Sequence, residues 1–313
     1  MAKKIIIDTD PGIDDAQAIL LAASHPALQL VGLTTVFGNV PVSLATANTL
    51  RLTELIGRPI PVAVGAAEPM QQNPRAHPDF VHGADGFGNI DWPMSARQTD
   101  DRSGAQFIVD SVRADPGAVT LIAIGPLTNL ALALELEPQL PDLVEQVIVM
   151  GGAVFRPGNI TPAAEANIIC DPHAAEQVFS ASWPLTLVGL DVTMQLVLER
   201  AVLAQLRNSR YGEFLHASAQ FYMDFYQAQY GVDGCFVHDS AAVMYAIEPA
   251  LFSVERGALL ALTEGVAVGQ TLFAPAAINY PPGPWSDRPP HQVCLQVDRE
   301  RHMALMLETL ARA

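Results

Sequence analysis

The chain has 313 residues, half of them apolar and 16% charged, which is enough to bury a core and too apolar for a disordered scaffold. Lys plus Arg number 17 against 33 Asp plus Glu, for a net charge of −16 with no basic run longer than Lys3-Lys4. A phosphate backbone would be repelled, so nucleic acid is not an expected partner. Cys170, Cys235 and Cys294 lie far apart with no CxxC spacing, which gives neither a disulfide framework nor a zinc finger and fits a reducing, cytoplasmic setting. The N-terminal apolar run, Ile5-Ile6-Ile7 before Asp8, is too short for a signal-peptide core, and no later segment has the length of a membrane span, so no membrane contact is expected.

In chain order, Lys4 to Thr9 reads as a strand, a Pro-Gly turn follows, Asp14 to Ser24 reads as a helix and Leu28 to Val36 as a second strand. The rhythm continues with a helix at Val42 to Ile56, a strand at Pro61 to Val64, a helix at Gly104 to Ala114 and a strand at Val119 to Ile124. Further pairs follow at Leu127 to Glu135 and Gln146 to Met150, and at Pro172 to Phe179 and Leu185 to Leu190. Short apolar strands alternating with helices predict one doubly wound α/β domain over residues 1–313, its mostly parallel sheet covered on both faces and its active site at the carboxyl ends of the strands. Residues 66–103 show no sustained period and read as a long functional loop. The five prolines within 281–290 read as a rigid surface loop.

DTDPGIDDA at 8–16 puts Asp8, Asp10, Asp14 and Asp15 at the end of the first strand and the start of the first helix. Helix capping and the helix dipole account for one or two acidic residues there, but not for four. Carboxylates this close raise one another's pKa or draw in a cation. The donors are all hard oxygens with no His or Cys at helical spacing, which disfavours zinc and favours Ca²⁺ over Mg²⁺.

DTDPGIDDA resembles the signature of the nucleoside hydrolase family, which cleaves the N-glycosidic bond of ribonucleosides. Four further blocks resemble that family in order: GPLTNLA at 125–131, MGGAVFRPGN at 150–159, PAAEANIICDPHAA at 162–175 and VHDSAAV at 237–243. The resemblance implies a Ca²⁺ held by Asp10, Asp15, Asp239 and the main-chain oxygen of Ile124. It makes Asp10 the base that takes the proton of the attacking water, whose pKa the metal lowers. It assigns Asp14, Asn159, Glu165, Asn167 and Asp239 to the ribose, and His238 to protonation of the departing base. Glu165 and Asn167 are expected on an extended segment, side by side, and a near-neutral pKa is expected for His238.

His82, in VHGADG, resembles a second active-site histidine, with Asp85 to Gly88 as a mobile lid. Asn39 closes the second strand at the same edge and is expected to orient Asp10 or a ligand. Tyr222, Tyr226 and Tyr230 recur at four-residue intervals, so one helical face can present three rings to a base. Pyrimidine-preferring members carry Thr and Gln at the first two places, so strict pyrimidine preference is not implied.

The small-molecule partner implied is a ribonucleoside, in nucleoside salvage, and the family's habit implies a homodimer or homotetramer. Two other readings compete. A haloacid dehalogenase-like phosphohydrolase would use Asp8 and Mg²⁺ but needs a downstream lysine, and the chain has only Lys3 and Lys4. A catalytically inactive ribonucleoside-binding relative would be expected to have lost Asp10 or the His238-Asp239 pair, and both are present.

Overall fold

The computed structural model describes residues 2–313. β1 (Lys3–Thr9), α1 (Ile13–Ser24), β2 (Leu28–Thr35), α2 (Val42–Ile56) and β3 (Val62–Val64) open the fold. α3 (Asp79–His82), β4 (Asp100–Ser103), α4 (Gly104–Ala114), β5 (Val119–Ala123), α5 (Thr128–Leu136), α6 (Leu140–Leu143) and β6 (Gln146–Met150) follow. Next come α7 (Ala166–Cys170), α8 (Pro172–Ser180), β7 (Leu185–Val188), α9 (Leu190–Thr193), β8 (Val197–Glu199) and α10 (Arg200–Leu203). The chain ends with α11 (Gly212–Tyr230), β9 (Gly234–Phe236), α12 (His238–Ile247), β10 (Phe252–Ala261), β11 (Thr271–Pro275), β12 (His291–Val297) and α13 (Arg299–Ala311).

Ten strands form one sheet in the order β11-β10-β12-β7-β6-β5-β1-β2-β3-β4, and β8 pairs with β9 apart from it. Every pairing in the large sheet is parallel except those of β10 with β11 and β12. The alternation of side chains builds two apolar layers from one run of sequence. Ile5 and Ile7 of β1 join the core on one face and Ile6 joins the core on the other; Ile148 and Met150 of β6 oppose Val147 and Val149 in the same way.

After β4 the chain returns to the middle of the sheet and builds outward in the other direction, so strand order reverses beside β1, where β5 pairs with it. Open α/β sheets bind ligands at such a reversal, outside the carboxyl ends of the strands.

Three local expectations are corrected. The segment 66–103 is not all loop: α3 and the edge strand β4 lie within it. β4 reads Asp-Asp-Arg-Ser, whose charges blunt a sheet edge and carry no apolar period. β7 stops at Val188 because Gly189 turns the chain and the Leu190 N–H donates to the Gly152 carbonyl at 2.8 Å. Asn167 lies in α7 rather than on an extended segment, because Glu165 caps that helix by accepting the N–H groups of Asn167 (2.9 Å) and Ile168 (3.3 Å). The proline-rich stretch 281–290 holds no helix or strand, and Arg288 fastens it to the Leu259 carbonyl at 2.9 Å.

Candidate active site

Asp10 follows the end of β1 and Ile124 the end of β5, at the reversal of strand order. Two glycines, Gly38 after β2 and Gly125 after β5, make room for the Asp10 carboxylate. A Cβ on Gly38 would fall 2.0 Å from Oδ2, and one on Gly125 would fall 2.5 Å from Oδ1. The Asn39 N–H donates to Asp10 Oδ2 at 2.6 Å and the Asn39 side chain donates to Asp15 Oδ2 at 3.1 Å, while Asp10 Oδ1 is buried without a partner. Asp15 is further held by the Thr9 hydroxyl (2.6 Å) and by the N–H groups of Gly12 (3.0 Å) and Asp10 (3.2 Å).

Carboxylate oxygens of Asp14, Asp15 and Asp239 all lie within 4.8 Å of one another, and all three residues are buried. Asp10 stands outside that trio. Burial raises the Asp14 pKa from 3.8 to about 7, with the Asp15 charge adding to it. Burial, then the neighbouring carboxylates, likewise pushes Asp10 and Asp239 well above the ordinary range, and burial raises Asp15. Four buried carboxylates without a compensating cation are costly in ionised form. An oxygen-only cage with an orphaned Asp10 oxygen beside it therefore fits a hard divalent cation.

Asp8 does not join this group: its Oδ1 takes hydrogen bonds from Thr34 and from Asn129 (2.7 Å), and it lines no part of the cavity.

The cavity above the trio encloses about 760 Å³ including its open mouth and is lined by Asp14, Asn39, His82, Ile124, Asn159, Glu165, Asn167, Tyr222, Tyr226, Tyr230, His238 and Asp239, among others. Asp10 faces an adjoining cavity that shares Asn39 and Asn167 with it. Within the 151–165 loop, the Glu165 Oε2 accepts the Gly152 N–H at 2.9 Å and Asn159 Oδ1 accepts the Ala166 N–H at 3.1 Å. The Asn167 amide donates to the carbonyls of Ile124 (3.0 Å) and Met150 (3.1 Å), tying α7 to the ends of β5 and β6.

The opposite wall is one face of α11. The Tyr222 hydroxyl donates to Asp14 Oδ2 at 3.0 Å and lies 3.1 Å from the Tyr226 hydroxyl, which in turn lies 3.0 Å from His238 Nε2. His82 stacks on Tyr222, with ring centroids 5.2 Å apart, and its Nδ1 accepts the Ile13 N–H at 3.2 Å. A Cβ on Gly12 would fall 2.5 Å from that ring, so the glycine of the Pro-Gly turn admits the histidine. Tyr230 stands at the mouth, 44% exposed, with Phe80 at 65%.

The near-neutral pKa expected for His238 is not what its surroundings give: burial lowers it to about 4, and burial with the nearby His238 lowers His82 to about 3. Both imidazoles are neutral near pH 7. The expected lid is drawn inward: Asp85 Oδ1 accepts the N–H groups of Phe87 (2.8 Å) and Asn89 (2.7 Å), Phe87 is buried, and residues 85–88 do not line the cavity.

Sequence reasoning overlooked Phe80, Ile160, Met194 and Phe225 in the lining, and Thr193, whose hydroxyl lies 2.8 Å from His238 Nδ1. The pairing of Phe225 with Phe80 across α11 and α3, at 6.0 Å, had no signal in either segment alone.

Comparison with known proteins agrees with this geometry. Residues 5–304 match the family model described as inosine-uridine preferring nucleoside hydrolase. The probable uridine nucleosidase 1 of Oryza sativa subsp. japonica is 40% identical over 311 residues, covering 98% of this chain and 96% of the relative. Among solved structures, the plant nucleoside hydrolase PpNRh1 superimposes with a TM-score of 0.97 at 39% identity over 99% of each chain. A purine-preferring ribonucleoside hydrolase from Gardnerella vaginalis gives 0.92 at 32% identity, over 99% of this chain and 98% of that one. These matches leave the phosphohydrolase reading without support: the chain belongs to the inosine-uridine preferring nucleoside hydrolase family and is a nucleoside hydrolase, an N-glycosidase.

Proposed function

We propose that the protein is a Ca²⁺-dependent ribonucleoside hydrolase that releases free base and ribose in nucleoside salvage. One observation carries the reading: Asp14 and Asp239 of a buried carboxylate trio face histidines and tyrosines across one cavity, with Asp10 at the cavity adjoining it. Asp10, Asp15, Asp239 and the Ile124 carbonyl would hold the ion, with Asp14 beside them. When bound, Ca²⁺ supplies charge compensation for the carboxylates and makes a nearby water more acidic.

Asp10 takes the proton of the attacking water on its unpartnered oxygen. Asn39 keeps the other oxygen occupied and so aims the carboxylate. Asp14, Asn159, Glu165, Asn167 and Asp239 hold the ribose hydroxyls, and the same carboxylates favour the positive charge that grows at the anomeric carbon as the bond to the base breaks. His238 gives a proton to the departing base from its Nε2 side, at the base end of the cavity. In its neutral form the imidazole offers the departing base a hydrogen bond from Nε2–H; full proton transfer is made from the imidazolium, since loss of the only N–H would leave imidazolate. His82 and Tyr222, stacked on each other, and Tyr226 and Tyr230 form an aromatic bed that suits bases of either ring size. A homodimer or homotetramer in the cytoplasm completes the proposal; no helix among the described residues is long and apolar enough to cross a membrane.

Incubation with a panel of purine and pyrimidine ribonucleosides in Ca²⁺, with chromatographic detection of base and sugar, tests it. Release of equal amounts of base and ribose is expected. Tight binding with no bond cleavage on any member would favour the inactive, nucleoside-binding alternative.

A further inference from the structure

α9 has only four residues, yet it touches both halves of the site. It is pressed against the start of the 151–165 loop: a Cβ on Gly189 would fall 2.8 Å from the Gly152 carbonyl oxygen and 3.1 Å from that of Gly151. Asp191 is buried, and each of its carboxylate oxygens accepts one backbone N–H, from Val154 and from Phe155, both at 2.9 Å. The Phe155 ring is 64% exposed, so the loop is held there by its backbone rather than by its side chain. Two positions further on, the buried Thr193 hydroxyl meets His238 Nδ1 at 2.8 Å.

One proton per hydroxyl fixes the direction of that contact. Tyr222 spends its proton on Asp14. Its oxygen must therefore accept from Tyr226, whose own oxygen then accepts from His238 Nε2–H. With Nε2–H given to Tyr226, Nδ1 is the nitrogen left to accept, and the Thr193 hydroxyl 2.8 Å away is placed to donate to it.

We infer that Asp191 and Thr193 are positioning residues for the two halves of the reaction. Asp191 sets the loop that carries Asn159 and Glu165 for the sugar. Thr193 fixes the rotation and tautomer of His238, keeping its proton on the cavity side. The inference rests on the hydrolase reading for its kinetic consequences but not for its geometry. A buried carboxylate bridging two backbone N–H groups and a hydroxyl aimed at an imidazole are both arrangements that orient a working group through its neighbour.

Two variants of the full-length protein in Ca²⁺ test it. Asp191→Asn keeps the shape but turns an amide group against one of the loop N–H donors. Ribose affinity measured by calorimetry should fall roughly 10-fold, and KM should rise alike for uridine and for p-nitrophenyl riboside, with kcat little changed. Thr193→Val should leave ribose affinity within about 2-fold while lowering kcat on uridine roughly 10-fold and sparing p-nitrophenyl riboside. The ¹⁵N spectrum of His238 should move from the Nε2–H tautomer towards a mixture, and Thr193→Ser should restore both spectrum and rate.

Opposite phenotypes from residues two positions apart are what a shared loss of stability would not produce. Intact ribose affinity in Asp191→Asn, an unmoved His238 spectrum or uridine rate in Thr193→Val, or identical losses in both variants would each overturn the inference. If the unaltered protein cleaves no riboside, the hydrolase reading fails, while the calorimetry and the spectrum still decide the positioning roles.

Discussion

The two walls of the cavity are built on different principles. On the acidic side, the groups come from a strand end and from the caps and first turns of helices, and most are pinned by backbone groups: Asp15 by two N–H groups and Thr9, Asp10 by Asn39, Glu165 by three N–H groups. On the aromatic wall, one face of α11 supplies the tyrosines, α3 and α12 supply the histidines, and the groups are held mainly by each other, hydroxyl to hydroxyl to imidazole. A wall fixed by the backbone suits the half of a nucleoside that never changes, the ribose. A wall held by side chains can be altered one residue at a time without disturbing the sheet, which suits the half that varies, the base.

The comparison can be broken from the acidic side first. Asp10→Asn keeps an oxygen and removes the proton acceptor, so kcat should fall about 10²- to 10⁴-fold with a smaller change in KM. Steady-state kinetics within a few-fold of the unaltered enzyme would remove Asp10 as the base. The sugar side can also be probed with the substrate: uridine should exceed 2′-deoxyuridine in kcat/KM on the order of 10³-fold, since the deoxy sugar leaves buried polar groups unpaired. Equal values would contradict ribose recognition by the carboxylate wall.

On the aromatic side, His238→Ala should lower turnover of natural nucleosides about 10²-fold and spare p-nitrophenyl riboside, whose leaving group departs well without a proton. Parallel losses on both would shift the acid role away from His238.

The smallest expected effect is on stability. Burial raises Asp14 from 3.8 to about 7, so the cation-free protein holds its full stability contribution from this group below about pH 4 and loses it as pH rises towards 7. Ca²⁺ needs the ionised forms and so reverses the trend. The gain in Tm on adding Ca²⁺ should be a few degrees and larger near about pH 8 than near about pH 5. Thermal unfolding with and without chelator at the two pH values would show it, and an equal gain at both would mean that the carboxylates are not what the ion compensates.

How much of this the sequence carried depended on whether a signal was local. β1, β5 and β6 announce themselves because buried parallel strands are unbroken apolar runs. β4 does not, because an edge strand made of Asp, Asp, Arg and Ser has no apolar face to show. The short α7 was hidden because its stability comes from a cap, Glu165, that reads on paper as a ligand. Asp10, Asp14 and Asp15 sit close together in sequence and were legible as a group. Removing Asp8 from that group required its partners, Thr34 and Asn129, which lie 26 and 121 residues away. The lowered pKa of His238 was equally out of reach, since it comes from burial by elements distant in the chain.

The pair of glycines around Asp10 has one further consequence. Gly38 and Gly125 leave a slot cut to the length of an aspartate: the space a Cβ would take at either position is already within 2.0 and 2.5 Å of the carboxylate oxygens. A glutamate would carry the same charge one methylene further, into backbone that has no slack, because Gly125 leads directly into Pro126 and the Asn39 N–H already grips the carboxylate. The site therefore measures its aspartate by reach as well as by acidity. Positions 38 and 125, distant from 10 in sequence, limit the length of the side chain that position 10 can carry.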